Sequence, residues 1–225
     1  MNIQNEKRKL REKIWKLLEE KGLSRFPLPL KNRIPNFEGS DKAAELLTSL
    51  PEWKNAKTIF ANPDFAQQKV RELALKDGKI LIMATPKLKQ GFLLINPNHV
   101  KCIEEKASKI SGAFKYGKRL TELIKPDLIV TGCVAVDKEG WRLGKGGGYG
   151  DKEIKMFLKK FGKITVATTV HELQIVDKVP HNEFDTKVDY IVTPSRIIKI
   201  ENNFSRILIK ISIMLICLLT STKVI

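Results

Sequence analysis

The amino-acid sequence predicts an α/β fold, a three-layer sandwich in which a mainly parallel sheet carries helices on both faces. Three observations lead there. Short near-continuous runs rich in β-branched residues, "TIFA", "KILIMATP", "DLIVTGCVAV", "KITVATTV" and "DYIVTP", read as strands covered on both faces. Stretches of helical periodicity separate them, as crossover helices separate parallel strands. At 225 residues, 42% hydrophobic and 29% charged, the chain has the material for one domain with a sizeable core.

From Glu6 to Glu20 the apolar Leu10, Ile14, Leu17 and Leu18 recur at helical spacing among basic residues, with Gly22 as a stop, so an amphipathic helix opens the chain. Three prolines in "FPLPLKNRIPNFEGS" then interrupt regular structure, and "DKAAELLTSL" is expected as a helix capped by Ser40. The core begins at "KTIFANP" with a strand, followed by a helix in "QQKVRELALKDG", a strand in "KILIMATP", a helix in "GKRLTELIK" and the strand "DLIVTGCVAV". After a glycine-rich stretch come the helix "DKEIKMFLKKFG" and the strands "KITVATTV" and "DYIVTP". One domain is expected over residues 1–200, with residues 201–225 as an apolar, basic tail. The uninterrupted apolar part of that tail, Ile211 to Leu219, is shorter than the roughly 20 residues that span a bilayer, so no stable membrane insertion is expected. A packed terminal segment, an interfacial anchor and a coding artefact are the readings open for it.

The formal net charge of +16, from 41 Lys and Arg against 25 Asp and Glu, favours polyanionic partners, nucleotides and RNA among them, or reflects lysines spread over a solvated surface. The cysteines Cys102, Cys133 and Cys217 form no CxxC, and the histidines have no partners at metal-ligand spacing. With a charged N-terminus unlike a signal peptide, the expected location is cytoplasmic. Trp15, Trp53 and Trp141 are expected in core or rim packing, Trp141 beside the glycine stretch. Cys133 is read as a small buried hydrophobe, and His171, after a strand at the expected site edge, is the histidine to test.

The chemistry concentrates in "GWRLGKGGGYGDKE", Gly140 to Glu153, directly after a strand. In doubly wound folds ligands sit beyond the carboxyl ends of strands. Glycine N–H groups followed by a helix N-terminus make an anion-binding nest, and Lys145 supplies a cation. Asp151 is a candidate Mg2+ ligand or a helix cap. The stretch is neither GxxxxGK[ST] nor a clear GxGxxG, and a purely structural turn remains open.

"GWRLGKGGGYGD" resembles the Gly-(Arg/Lys)-Gly-Lys-Gly-Tyr-Tyr-Asp signature of the 5-formyltetrahydrofolate cyclo-ligase family, the methenyltetrahydrofolate synthetases. "VPHNEFDTKVDYIVTP" resembles that family's closing segment, and the likeness runs from about Lys7 to Arg196. A nearer likeness is to the methenyltetrahydrofolate synthase domain-containing branch, through "RIPNF.GS", "NPD.....VR" (Asn62 to Arg71), "TP.L..G" and "GWR.GKG.GY.D.E". The resemblance implies a three-layer α/β fold and ATP- and Mg2+-dependent conversion of 5-formyltetrahydrofolate, or a related pterin, to the 5,10-methenyl form. It implies Lys145 and Tyr149 in catalysis, Lys7, Arg11, Gly144, Lys145, Gly146, Gly147, Gly148 and Tyr149 at ATP, and Asp151 at the metal. Asp64, Trp141 and Gln174 are the candidates for the folate side. The chain departs from the signature at Gly147, where the family has its second lysine, at Gly150, where it has its second tyrosine, and at Phe184, where many members have histidine. Those departures keep a second reading open, a non-catalytic or divergent relative that binds nucleotide or RNA.

Overall fold

The computed structural model describes residues 2–201; residue 1 and residues 202–225, nearly all of the expected tail, lie outside it. Helix α1 (Ile3–Glu20) starts earlier than the periodicity from Glu6 implies, because the Asn2 side chain accepts the Gln4 N–H and caps it there. Then follow α2 (Ser40–Leu47), α3 (Pro51–Asn55), β1 (Thr58–Ala61), α4 (Gln68–Lys76), β2 (Ile80–Ala84), β3 (Phe92–Ile95), α5 (Glu104–Ser108), α6 (Ile110–Tyr116) and β4 (Lys118–Arg119). The second half runs β5 (Leu128–Thr131), β6 (Ala135–Asp137), β7 (Arg142–Leu143), α7 (Tyr149–Phe161), β8 (Thr165–Thr169), β9 (Ile175–Val176), β10 (Tyr190–Val192) and β11 (Ile197–Lys199).

The large sheet has the order β11-β10-β8-β5-β1-β2-β3-β4. Its centre, from β10 to β2, is parallel throughout, while β11 on one side and β3 and β4 on the other are antiparallel. Successive side chains of a strand point to opposite faces, so both faces of the central strands must be covered. Ile59, Leu81, Met83, Leu128 and Val130 pack on one side with Trp53, Val70 and Ala107. Phe60, Ile82, Ile129 and Val166 pack on the other with Ile154 and Phe157 of α7. That is the expected three-layer α/β sandwich. A small second sheet, β7-β6-β9, lies against α1, where Ile14, Trp15, Leu18, Ala135 and Leu143 form a third apolar cluster. Cys133 is buried as expected, and no helix among the described residues is long and apolar enough to cross a membrane.

Three local expectations are corrected. The N-cap of α2 is Gly39 at φ 85°, not Ser40, which is the first helical residue; a Cβ at Gly39 would stand 2.8 Å from Pro194 Cγ. "DLIVTGCVAV" is two strands in different sheets, β5 and β6. The break falls at Gly132, where the chain passes so close to Gln67 that a Cβ would lie 2.5 Å from its Oε1. "GKRLTELIK" forms no helix: Lys118 and Arg119 pair with β3, the Leu120 N–H donates to Phe92, and Leu120 and Leu123 pack against the α7-side core.

Candidate functional site

The carboxyl ends of β1, β2 and β5 aim Asn62–Asp64, Thr85–Lys87 and Gly132 at one cavity of about 550 Å3, closed on the other side by the glycine loop and the start of α7. The loop turns because Gly146 (φ 114°) and Gly148 (φ 68°) take left-handed conformations that cost other residues about 1–2 kcal/mol. Gly148 is also the N-cap of α7, so the first N–H groups of a 13-residue helix open toward the cavity. Asp151 therefore sits inside the helix and is not its cap.

Arg142 lies beneath this loop, 1% exposed, with Nε donating to Thr186 Oγ1 at 3.1 Å. Its Nη2 is 2.9 Å from Asp151 Oδ1, yet that nitrogen makes no hydrogen bond among the described residues. Asp151 Oδ1 instead accepts from Thr186 N at 3.0 Å and Thr186 Oγ1 at 2.9 Å. A Cβ at Gly150 would stand 2.9 Å from Arg142 Nη2. A buried guanidinium lining the cavity with an unsatisfied N–H, beside a helix N-terminus, suits an anion. Lys145 lines the same cavity and pairs with Asp64 at 2.6 Å across its mouth.

Glu153, one helical turn into α7, is 3% exposed and accepts a hydrogen bond from the Asn62 amide. Burial, reinforced by the nearby Asp64 charge and only partly opposed by Arg142, Lys145 and Asn62, pushes its carboxyl up to about 8, so it is protonated at neutral pH. Asn62 is fixed in turn: its Oδ1 accepts from Gly132 N at 3.2 Å, and its carbonyl accepts from Arg71. Arg71, 1% exposed, also donates to the Asp64 carbonyl at 2.9 Å and the Ser108 carbonyl at 2.7 Å. Burial lowers it to about 10, partly offset by Asp64, which leaves it charged at pH 7.

Gly144, Lys145, Gly147, Gly148, Tyr149, Asp151 and Asp64 thus come together around the cavity. Gly146 faces away from it, with Arg11 the nearest neighbour of a Cβ there. Arg11 braces the loop from behind, its Nε donating to the Gly144 carbonyl at 2.7 Å, and burial lowers its guanidinium pKa against the opposing charges of Asp185 and Asp151. Lys7 does not lie on a solvated helix face: it is buried and bonds Asp185 at 2.7 Å. Trp141 lines a separate groove, stacked on His181 at 3.8 Å with Lys187 over its ring at 4.5 Å. Gln174 is a framework residue, its Oε1 accepting from His171 N and its Nε2 donating to the Cys133 and Val134 carbonyls. His171 caps the short turn there through Nδ1, and burial lowers its pKa. Arg142, Glu153, Asn62 and Arg71 are additions to the site expected from sequence; all four fall inside the quoted patterns, and what the patterns lack is their burial.

Mg2+ binds through one or two carboxylates together with substrate phosphates. Among the described residues Asp151 Oδ2 has no protein partner, and there is no cluster of three or more His, Cys, Asp or Glu. The donor set fits a metal that arrives with phosphates to complete its shell.

A model of the 5-formyltetrahydrofolate cyclo-ligase family matches residues 3–194. The methenyltetrahydrofolate synthase domain-containing protein of Bos taurus is 39% identical over 204 residues, 85% of this chain and 53% of that protein, and its Homo sapiens counterpart is 37% identical over the same shares. The chain spans about half the length of these relatives. The 5-formyltetrahydrofolate cyclo-ligase of Escherichia coli K12 is 35% identical over 75 residues, 33% of this chain and 40% of that one. Among solved structures, the 5,10-methenyltetrahydrofolate synthetase of Aquifex aeolicus superposes with a TM-score of 0.57 at 25% identity, covering 87% of this chain and 93% of that one.

Proposed function

The chain belongs to the 5-formyltetrahydrofolate cyclo-ligase family, and on that premise we propose that it converts 5-formyltetrahydrofolate, or a related pterin, to the 5,10-methenyl form with Mg-ATP. The observation that carries the reading is one cavity lined both by an anion cradle, made of the glycine loop, Arg142 and Lys145, and by the buried, hydrogen-bonded pair Glu153 and Asn62. In this chemistry ATP supplies a phosphoryl group to the formyl oxygen, and phosphate leaves as the second folate nitrogen closes the ring. The protein's part is positioning and charge neutralisation. Loop N–H groups and Arg142 hold the phosphates, Lys145 leaves Asp64 to meet the transferring group, Tyr149 walls the cavity, and Asp151 presents Oδ2 to the metal. Arg142 answers the missing signature lysine: Gly147 brings no cation, but a buried one already lies beneath the loop.

The test is the absorbance of methenyltetrahydrofolate after protein is added to 5-formyltetrahydrofolate and Mg-ATP. Growth of the band that needs ATP supports the reading. Gly147 favours a second one, a relative that binds nucleotide or RNA without turnover, and ATP binding with no absorbance change would select it.

A further inference from the structure

Arg142, which holds the anion, and Asp151, which is assigned to the metal, both line the cavity and meet on one side chain that does not. That side chain is Thr186, 7% exposed and absent from the cavity wall. Its hydroxyl accepts from Arg142 Nε at 3.1 Å and donates to Asp151 Oδ1 at 2.9 Å, while its backbone N–H donates to the same oxygen at 3.0 Å. A hydroxyl has one proton to give and lone pairs to accept with, so the carboxylate takes the proton and the guanidinium takes a lone pair. Among the described residues this is the hydrogen bond that holds the Arg142 guanidinium, whose Nη2 has no partner, and Asp151 Oδ2 likewise has none. Each group therefore has one polar atom fixed by Thr186 and another available to a ligand. The segment that carries Thr186 is itself tied down, since Asp185 accepts from the Asn182 N–H at 2.7 Å and from Lys7 Nζ of α1 at 2.7 Å.

We propose that Thr186 is a positioning residue that sets Arg142 and Asp151 relative to each other, so that the site takes a phosphate and its divalent cation as one unit. The proposal rests on the phosphate and metal part of the reading above and adds to it the residue that couples the two. Asp151 Oδ1 and Arg142 Nη2 are 2.9 Å apart without a hydrogen bond between them. Guanidinium and carboxylate readily close into a bidentate pair, and such a pair would satisfy both groups with each other and leave neither for a ligand. By engaging Nε on one side and Oδ1 on the other, the Thr186 hydroxyl holds them short of that pairing. A β-branched side chain is stiff at χ1, which suits a hydroxyl that serves two partners at once.

The experiment titrates wild type, Thr186→Val, Thr186→Ser and Thr186→Cys by calorimetry with ATP, once in Mg2+ and once in EDTA, after thermal melts establish folding. Thr186→Val keeps the branched shape without the hydroxyl and should weaken Mg-ATP about fivefold or more, the scale of a hydrogen bond to a charged group. The loss should be larger in Mg2+ than in EDTA, because Asp151 contributes to the first titration alone. Thr186→Ser restores the hydroxyl and should recover most of the affinity. A lower melting temperature in Thr186→Val with wild-type ATP affinity is what a merely structural residue gives, and it overturns the proposal. So does a loss of equal size with and without Mg2+, or a loss in Thr186→Ser as large as in Thr186→Val. Should Thr186→Val fail to fold, Thr186→Cys decides, since a thiol donates and accepts only weakly: weaker Mg-ATP binding than in Thr186→Ser supports the proposal, and equal binding overturns it. Absence of Mg-ATP binding by wild type brings down the phosphate reading and this inference together, whereas wild-type binding with indifferent variants brings down the inference alone.

Discussion

Glu153, to which the sequence assigns no role, and Lys7, which the family resemblance places at ATP, are both buried in the fold. Glu153 titrates near about 8 when folded and near about 4.3 in an unfolded chain. The folded state holds the proton more tightly, so this group's contribution to stability is complete below about pH 4, declines as pH rises toward 8, and is constant above. Urea midpoints of the wild type should therefore fall between pH 5 and 8 more steeply than those of Glu153→Gln; parallel profiles would mean that the carboxyl is ionised in the fold. Lys7 lies on the buried face of α1, in line with Ile14 and Leu18, and its side chain and that of Asp185 are only 6% and 12% exposed. Removing one partner of such a pair costs about 3 kcal/mol, so Lys7→Ala should lower the melting temperature by several degrees, where an exposed lysine would change it little. The glycine loop, Lys145, Tyr149 and Asp151 were legible because glycine spacing and a following helix are sequence patterns. Arg142, Asn62, Arg71 and Glu153 were not, since their roles arise where β1, α4, β7 and α7 meet, and nothing local records that meeting.

Secondary elements divide along the same line. Helix α7 and the central parallel strands were legible because a 13-residue amphipathic period marks a helix, while short apolar runs rich in β-branched residues and separated by helical stretches mark buried strands. The β5–β6 break hinges on the close approach of Gly132 to Gln67, and β4 is a two-residue strand made by its partner β3, so both are tertiary facts written over local preference. Two short helices, α5 and α6, and the strand β3 fill the span between β2 and β4 without a pattern long enough to announce them. The α7 face can be tested directly. Phe157 packs against Phe60 at 5.0 Å and Phe92 at 5.2 Å between ring centroids, fully buried. Phe157→Ala should cost about 3–5 kcal/mol, read as a lower denaturant midpoint at unchanged slope. A loss under 1 kcal/mol would mean that α7 is not seated on the sheet as described.

At the scale of the molecule, the chain carries a net charge of +16 and the cavity is lined by the cationic Arg142 and Lys145. Long-range attraction speeds the approach of polyanions and is screened by salt, so association of Mg-ATP should slow as ionic strength rises while the buried Arg142 contact is screened less. The central claim is that phosphate is held by the glycine loop, Lys145 and Arg142 at the mouth of α7. Calorimetric titration of Mg-ATP into the wild type and into Lys145→Ala tests it most directly. Saturable binding by the wild type, weakened about tenfold by the substitution, is the predicted result. No heat of binding at millimolar Mg-ATP, or equal affinity in the two proteins, would contradict it and return the glycines to a turn.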